Sequence, residues 1–381
     1  MRIGTLGVSG GFWGADMKIF IAINQARVLY DFKRELVAAF LARGDEVFLS
    51  FEEDFRAEYF YSTGATVLPT PIDPRGMNPV RDAKLYLFYK KALRRVRPDA
   101  VLTFTIKPNV YCGRACRTLK IPYFATISGL GVALNAGGAL AAVSRALYRS
   151  GVRGARGVFC QNESIARYAV ANRFASESQI VRVAGSGVDL DRFPYLEYPA
   201  EEDQIEFLFI GRLMRDKGIG EYLECAKRIR ASRPNAVFRI LGAPERGCDS
   251  YGAVTEAARR GLVEYLGYKT DVTPYLATCS AVTLPSWHEG LSNVLLEGAA
   301  SGRPLIASNV PGCAETFDDG VTGFGFEPRS ADALVDAVER FLATPYETRR
   351  EMGRKGREKV AAAFDRNKVV ATYLDAVSNR Q

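Results

Sequence analysis

The 381-residue chain contains a single histidine, His288. A relay or metal centre built on several imidazoles is therefore excluded. Long hydrophobic runs are also missing. The nearest, "IPYFATISGLGVALNAGGALAAVS" (121 to 144), is broken by polar and glycine positions. It reads as a pair of helices or a loop between them rather than a membrane span. The opening "MRIGTLGVSGGFWGAD" has no basic segment leading into an apolar run, so no secretion signal is expected. The seven cysteines (Cys112, Cys116, Cys160, Cys225, Cys248, Cys279 and Cys313) are odd in number and scattered. That set fits free thiols in a reducing cytosol, and Cys112 with Cys116 would need further ligands to hold zinc. No GxxxxGK[ST] loop is present, and the chain carries neither an aromatic-basic RNA-binding motif nor a DNA-reading helix, so nucleic acid is not expected as a partner.

What is present is an ordinary globular composition, 48% apolar and 25% charged. The length favours two domains of roughly 150 to 200 residues. Charge is unevenly placed. Residues 1 to 190 carry 26 Lys and Arg against 15 Asp and Glu, a net +11, while residues 191 to 381 carry 25 against 28, a net −3. An anionic surface or a bulky anionic substrate should meet the first half.

Met17 opens "MKIFIAI", a buried-strand run followed by an amphipathic helix, a Gly-Asp turn and a second strand. A doubly wound domain begins in this way, so residues 1–16 read as an extension or a misplaced start, and Gly10 and Gly11 are not expected to form a phosphate loop. Strand candidates recur at 65–69, 100–104, 123–127 and 157–161, with helical patterns at about 79–96, 110–118, 138–150 and 163–173. The alternation argues parallel α/β. A proline- and acid-rich linker at 195–204 precedes a second series at 205–211, 236–242, 263–268, 281–286 and 304–308. Two doubly wound, Rossmann-like domains facing across a cleft are expected, 17–194 and 205–362, with two or three terminal helices over 331–378 and the last (363–381) returning to the first domain.

Two segments carry chemistry. In "FLFIGRLMRDKGIGEYLECAKRIR" a strand ends at Gly211 and a loop carries Arg212 and Lys217 before Gly218 and a helix. Gly211 lets a ligand approach the backbone, and Arg212 and Lys217 offer a fork and a point charge to neighbouring phosphates. Taken alone, both side chains equally suit a solvated loop. In "LPSWHEGLSNVLLEGAASGRP" a strand ends near Pro285, a loop bears His288 and Glu289, and a helix starts near Ser292. Amides of Gly290, Leu291, Ser292 and Asn293 at that helix start suit an anion. Glu297, inside the helix, can accept from a ribose diol and Glu289 from a sugar hydroxyl, although Glu297 by itself also suits a surface helix position. His288 reads as a packing or hydrogen-bonding residue. Asp189 and Asp191 in "GSGVDLDRF" read as a turn rather than a metal pair.

These segments resemble the retaining GT-B glycosyltransferases of family 4, whose marker is a Glu-x7-Glu segment. Glu289 and Glu297 match its carboxylates, "FIGRLMRDKG" its phosphate-binding segment, and "VEYLGY", with Gly267 and Tyr268, the loop beside the nucleobase. "GSGVDLDRF", "FDDGVTGFGFEP" and "MGRKGREKVAAAFD" follow the family too, so the resemblance runs from Met17 to the C-terminus. "LYDFKRELVAAF", "TFTIKPNVYCG", "TISGLG" and "VFCQNE" resemble the bacterial enzymes that extend undecaprenyl-diphosphate-linked oligosaccharides for surface polysaccharide, O-antigen or glycoprotein glycans. The resemblance implies a UDP-sugar donor of hexose or N-acetylhexosamine type (GalNAc, GlcNAc or Gal) and work at the cytoplasmic membrane face; no metal or other cofactor is expected, because Arg212, Lys217 and the helix start can neutralise the diphosphate. It also implies catalytic roles for Glu289, Arg212 and Lys217. The basic "YKKALRRVR" (89 to 97) suits anionic lipid. Lys107 and Arg34 are candidate contacts to acceptor phosphates. Ser128, in "TISGLG", stands where many members carry an N-domain histidine. A soluble-acceptor transferase and a nucleotide-sugar-binding protein without turnover are the rival readings, separated by lipid dependence and by UDP release. No coiled-coil repeat demands a homodimer.

Overall fold

In the computed structural model, residues 17–379 are described apart from 74, 75, 77, 130–137, 201–203 and 246–249. The expectations for residues 1–16, with Gly10 and Gly11, and for Cys248 lie outside them. The chain forms two compact units. The first holds residues up to Thr126, Val143–Val158 and the stretch from Tyr373; the second holds Ile127–Ala142 and Phe159–Thr372.

The chain opens with β1 (Lys18–Gln25), α1 (Ala26–Ala42), β2 (Glu46–Glu52), α2 (Ala57–Tyr61), β3 (Thr66–Pro69), α3 (Pro79–Val96), β4 (Ala100–Phe104), α4 (Ile106–Leu119) and β5 (Tyr123–Ile127). α5 (Gly138–Val152), β6 (Gly157–Cys160), α6 (Glu163–Ala171) and β7 (Ile180–Arg182) follow. Their strands make a seven-stranded sheet of order β3-β2-β1-β4-β5-β6-β7, with parallel pairing at β1–β2, β1–β4, β2–β3 and β4–β5. The strands are near-continuous apolar runs because helices cover both faces of a parallel sheet. α3 starts where Pro79 supplies a preset φ and Asn78 accepts from the N–H groups of Val80 and Arg81 at 3.0 and 3.2 Å. Under the sheet, buried Asn109 accepts from the Thr103 hydroxyl at 2.7 Å and donates to Thr126 O and the Tyr148 hydroxyl, each at 2.8 Å. This network satisfies a polar group that burial would otherwise penalise.

The second unit carries β8 (Ile205–Ile210), α7 (Ile219–Ser232), β9 (Ala236–Leu241), α8 (Ser250–Arg259), β10 (Glu264–Tyr265), α9 (Thr273–Thr278), β11 (Ala281–Leu284), α10 (Asn293–Ala300), β12 (Leu305–Ser308), β13 (Gly323–Phe326), α11 (Ala331–Ala343) and α12 (Tyr346–Ala363), while α13 (Arg366–Asn379) belongs to the second unit up to Thr372 and to the first from Tyr373. Its six-stranded parallel sheet has the order β10-β9-β8-β11-β12-β13. Phe207 stacks on Phe238 at 5.0 Å, and Tyr222 and Phe341 close edge-on against this pair. β7 and β13 are absent from the expectations above: β7 has three residues, and β13 alternates glycine with phenylalanine, so neither makes a sustained apolar run. At the far end Tyr373 of α13 packs at 5.8 Å from Phe104 and its hydroxyl lies 3.1 Å from that of Thr126, all within the first unit.

Candidate active site

Strand order reverses in the second sheet between β8 and β11: successive strands run outward on one side to β9 and β10, and on the other to β12 and β13. Loops leaving the carboxyl ends of such neighbours diverge and leave room for a ligand. The loop after β8 contains Gly211, Arg212 and a 3-10 turn Arg215–Lys217. Gly218 then has φ 72°, and a Cβ there would come within 2.0 Å of Pro285 O, so the β8 and β11 loops meet only because this residue is glycine.

The meeting brings two expected residues together. Lys217 Nζ lies 2.5 Å from Glu289 Oε1, both side chains largely withdrawn from solvent at 17% and 15% exposure. Alongside, Trp287 N–H donates to Asp216 O at 2.9 Å, and His288 Nε2 lies 3.4 Å from Asp216 Oδ2. His288 is thus a half-exposed partner of a carboxylate. Asp216 Oδ1 is buried and has no hydrogen-bond partner among the described residues. The Cys313 thiol is pushed well up by burial and then by the Glu289 charge, while Lys217 pulls the other way. Arg212 is more exposed and pairs with Glu245 at 3.1 Å.

α10 begins after Ser292, whose hydroxyl accepts from Leu295 N–H at 3.4 Å. One expectation is corrected here. The Ser292 N–H is not open to an anion, because it donates to Gly312 O at 2.8 Å in the loop after β12. Glu297 is the fifth residue of α10 and half-buried. Gly267 and Tyr268 follow β10. Gly242 N–H donates to Gly267 O at 3.0 Å and Gly211 N–H to Leu241 O at 2.9 Å, so the loops after β8, β9 and β10 form one continuous edge with Tyr268 exposed on it.

Gly290 is clasped. A Cβ on it would stand 2.0 Å from Ser128 O and 3.0 Å from Gln161 Oε1. The Asn162 amide also donates Nδ2–H to Gly290 O, while its Oδ1 caps α6 by accepting from Ile165 N–H at 2.8 Å. Ser128 is therefore brought to the Glu289–Leu291 loop through its backbone carbonyl. In the first unit, Lys107 Nζ lies 2.7 Å from Asp82 Oδ1, and Tyr111 donates to the other oxygen at 2.8 Å. Arg34 pairs with Glu35 at 2.9 Å and covers the Tyr30 ring. Asp189 closes a turn on the N–H groups of Asp191 and Arg192. Asp216 and Asn162 were not singled out from the sequence. Their signal is position, inside "MRDKG" and "VFCQNE", not residue type.

Among the described residues no group of three or more His, Cys, Asp or Glu is placed to hold a metal ion, and no helix is long and apolar enough to cross a membrane.

Residues 32–185 match the glycosyl transferase 4-like domain and residues 197–359 the glycosyl transferases group 1 model. The chain is 25% identical over 374 residues to the N,N'-diacetylbacillosaminyl-diphospho-undecaprenol alpha-1,3-N-acetylgalactosaminyltransferase of Campylobacter jejuni, covering 94% of this chain and 97% of that one. It is 24% identical to the UDP-Gal:alpha-D-GlcNAc-diphosphoundecaprenol alpha-1,3-galactosyltransferase of Escherichia coli, over 80% of this chain and 83% of that one. Among solved structures, a glycosyltransferase from Rickettsia africae superposes with a TM-score of 0.78 at 16% identity, covering 96% of this chain and 98% of that one. HepE of Anabaena, solved with UDP and glucose, superposes with 0.76 at 15% identity, covering 95% and 100%. The two Rossmann-like parallel-sheet domains have the GT-B architecture. The chain belongs to the GT-B glycosyltransferases, related to the group 1 and 4-like families and to the undecaprenyl-diphosphate-sugar transferases.

Proposed function

We propose that this enzyme moves a hexose or N-acetylhexosamine (GalNAc, GlcNAc or Gal) from a UDP-sugar to a hydroxyl of an undecaprenyl-diphosphate-linked saccharide, with retention of the α configuration. The product would enter a surface polysaccharide, O-antigen or glycoprotein glycan. The observation that carries this reading is the Lys217–Glu289 pair at the β8/β11 switch point of a chain that aligns almost end to end with an α-1,3-transferase using a diphospho-undecaprenol acceptor.

In this reading Lys217 turns from Glu289 to the donor diphosphate, and Arg212 leaves Glu245 to join it. Together they stabilise the charge that develops on the leaving UDP. Glu289, released, accepts from a hydroxyl of the transferred sugar. Glu297 holds the ribose, the amides of Leu291 and Asn293 face the diphosphate, and Gly267 and Tyr268 lie against the base. Transfer on one face of the sugar needs no protein nucleophile, since the leaving phosphate oxygen takes the acceptor proton. Lys107 and Arg34 would contact acceptor phosphates, Lys107 by exchanging Asp82 for them. The net +11 of residues 1 to 190 would hold the enzyme against the anionic cytoplasmic face of the membrane.

The test mixes purified enzyme with a panel of UDP-sugars and a short polyprenyl-diphosphate saccharide pool, following lipid-product mass and free UDP. One donor giving a one-sugar mass increase supports the reading. UDP release with a soluble saccharide acceptor, and none with lipid-linked ones, would replace it.

A further inference from the structure

The C-terminal ends of α3 and α4 lie side by side in the first unit, and between them is a groove of about 420 Å³ lined by Leu93, Arg94, Arg97, Pro98, Leu119 and Ile121. Its floor is apolar, with Leu93 and Pro98 buried and Leu119 and Ile121 half-buried, while both guanidinium groups stand exposed at its rim. Among the described residues neither Arg94 nor Arg97 has an acidic partner. The nearest acid in sequence, Asp99, accepts from Lys18 N–H at 2.8 Å. From Ala100 to Asn162 the chain has no Asp or Glu at all, against eight Lys and Arg. Two of those, Arg117 and Lys120, close the same end of α4.

A cation in the last turn of a helix is ordinary, because it complements the exposed carbonyls. That pairing explains a lone Arg94 or Arg117. It does not explain an apolar-floored groove between two helix ends with unneutralised guanidinium groups on its rim. Arg97 is moreover held at φ 52°, in the left-handed region where glycine is the usual occupant of a helix end.

A free phosphate would gain nothing from Leu93, Pro98, Leu119 and Ile121 and would lose hydration above them. A glycerophospholipid offers both halves of the match: a phosphodiester for the guanidinium forks and glycerol-ester carbons for the floor. We propose that this groove is a second site, separate from the donor-sugar site, that seats the headgroup of an anionic phospholipid. The inference deepens the membrane-surface part of the proposed function and rests on it.

The test uses the full-length enzyme and co-sedimentation at low salt with vesicles of phosphatidylcholine alone or mixed with phosphatidylglycerol. Wild type should bind the mixed vesicles only. The double variant Arg94→Gln/Arg97→Gln should lose roughly 30-fold in partitioning, the scale for two basic residues at an anionic surface. Leu119→Gln should weaken it as well. Lys84→Gln/Lys91→Gln, which removes equal charge elsewhere on α3, should lose clearly less than the groove pair, through general surface charge alone. Thermal melts identify any variant that fails to fold, in which case Arg94→Lys/Arg97→Lys, which keeps charge but loses the forks, decides by an intermediate loss. Equal losses for the two charge-removing pairs would mean diffuse attraction and overturn the groove. Displacement from vesicles by millimolar inorganic phosphate at constant ionic strength would make the ligand a soluble anion and overturn the lipid source. Failure of wild type to bind mixed vesicles would overturn both the groove and the membrane-surface reading, whereas unchanged binding by Arg94→Gln/Arg97→Gln would overturn the groove and leave the membrane-surface reading standing.

Discussion

Lys217 Nζ sits 2.5 Å from Glu289 Oε1, although 72 positions separate them in the chain. One belongs to the loop after β8 and the other to the loop after β11, strands that are neighbours in the sheet. The pair holds the two loops at a fixed spacing and keeps each charge neutralised where little water reaches.

Removing one partner leaves the other charge largely buried, which costs about 3–5 kcal/mol. Lys217→Met and Glu289→Gln should each lower the melting temperature and reduce turnover by at least about 100-fold, the scale for losing one group that stabilises developing charge. The double variant Lys217→Met/Glu289→Gln should regain much of the stability and none of the turnover. Melting curves and UDP release read both. Recovered turnover in the double variant would make the pair merely structural.

Asn162 has two jobs that substitution can separate. Asn162→Ala removes the α6 cap, worth about 1 kcal/mol, together with the bond to Gly290 O. Asn162→Asp keeps the capping oxygen and loses the donor. The aspartate variant should therefore melt close to wild type yet turn over roughly tenfold more slowly, about the rate cost of one lost hydrogen bond. If only the alanine variant loses activity, the clasp on Gly290 has no part in positioning the loop.

In the proposed function Glu297 holds the ribose, which is unchanged by the reaction. Its interaction is then equal in the ground and transition states, and losing its charge should raise KM rather than lower kcat. Glu297→Gln is expected to raise the donor KM by about 10- to 100-fold, the range for a charged hydrogen bond, with kcat little altered. A fall in kcat at unchanged KM would move Glu297 to the reacting centre.

Burial pushes the thiols of Cys160, Cys225 and Cys279 up to about 12. These groups stay protonated in the folded chain while an unfolded chain ionises them near pH 9. The stability they contribute is complete below pH 9 and is lost as pH rises from there toward 12. The melting temperature should fall over that window. At neutral pH the native enzyme should resist iodoacetamide at these three positions, as peptide mass mapping would read; rapid native labelling would contradict their burial.

Much of the fold is legible in the residues. Pro79 and Asn78 announce the start of α3, and the runs at 205–210, 236–241 and 281–284 announce strands, because a parallel sheet covered on both faces demands unbroken apolar segments. The Glu289 and Glu297 spacing points to the candidate site region. Elements without a sustained pattern are not legible: three-residue β7 and glycine-interrupted β13. Nor is the use of the Ser292 N–H by Gly312 O, which depends on where the loop after β12 lies.

The sequence by itself determined the α/β alternation, the division of charge between its halves and the set of candidate side chains proposed for a diphosphate, since these depend on local pattern and composition. Tertiary structure decided which of them meet. Lys217 joins Glu289, Asn162 clasps Gly290, Lys107 is matched to Asp82, and Arg94 and Arg97 rim a groove with Leu119 and Ile121. The physical reason is the crossover connection of a parallel sheet: chain order and spatial order differ, so loops distant in sequence converge at one edge of the strands.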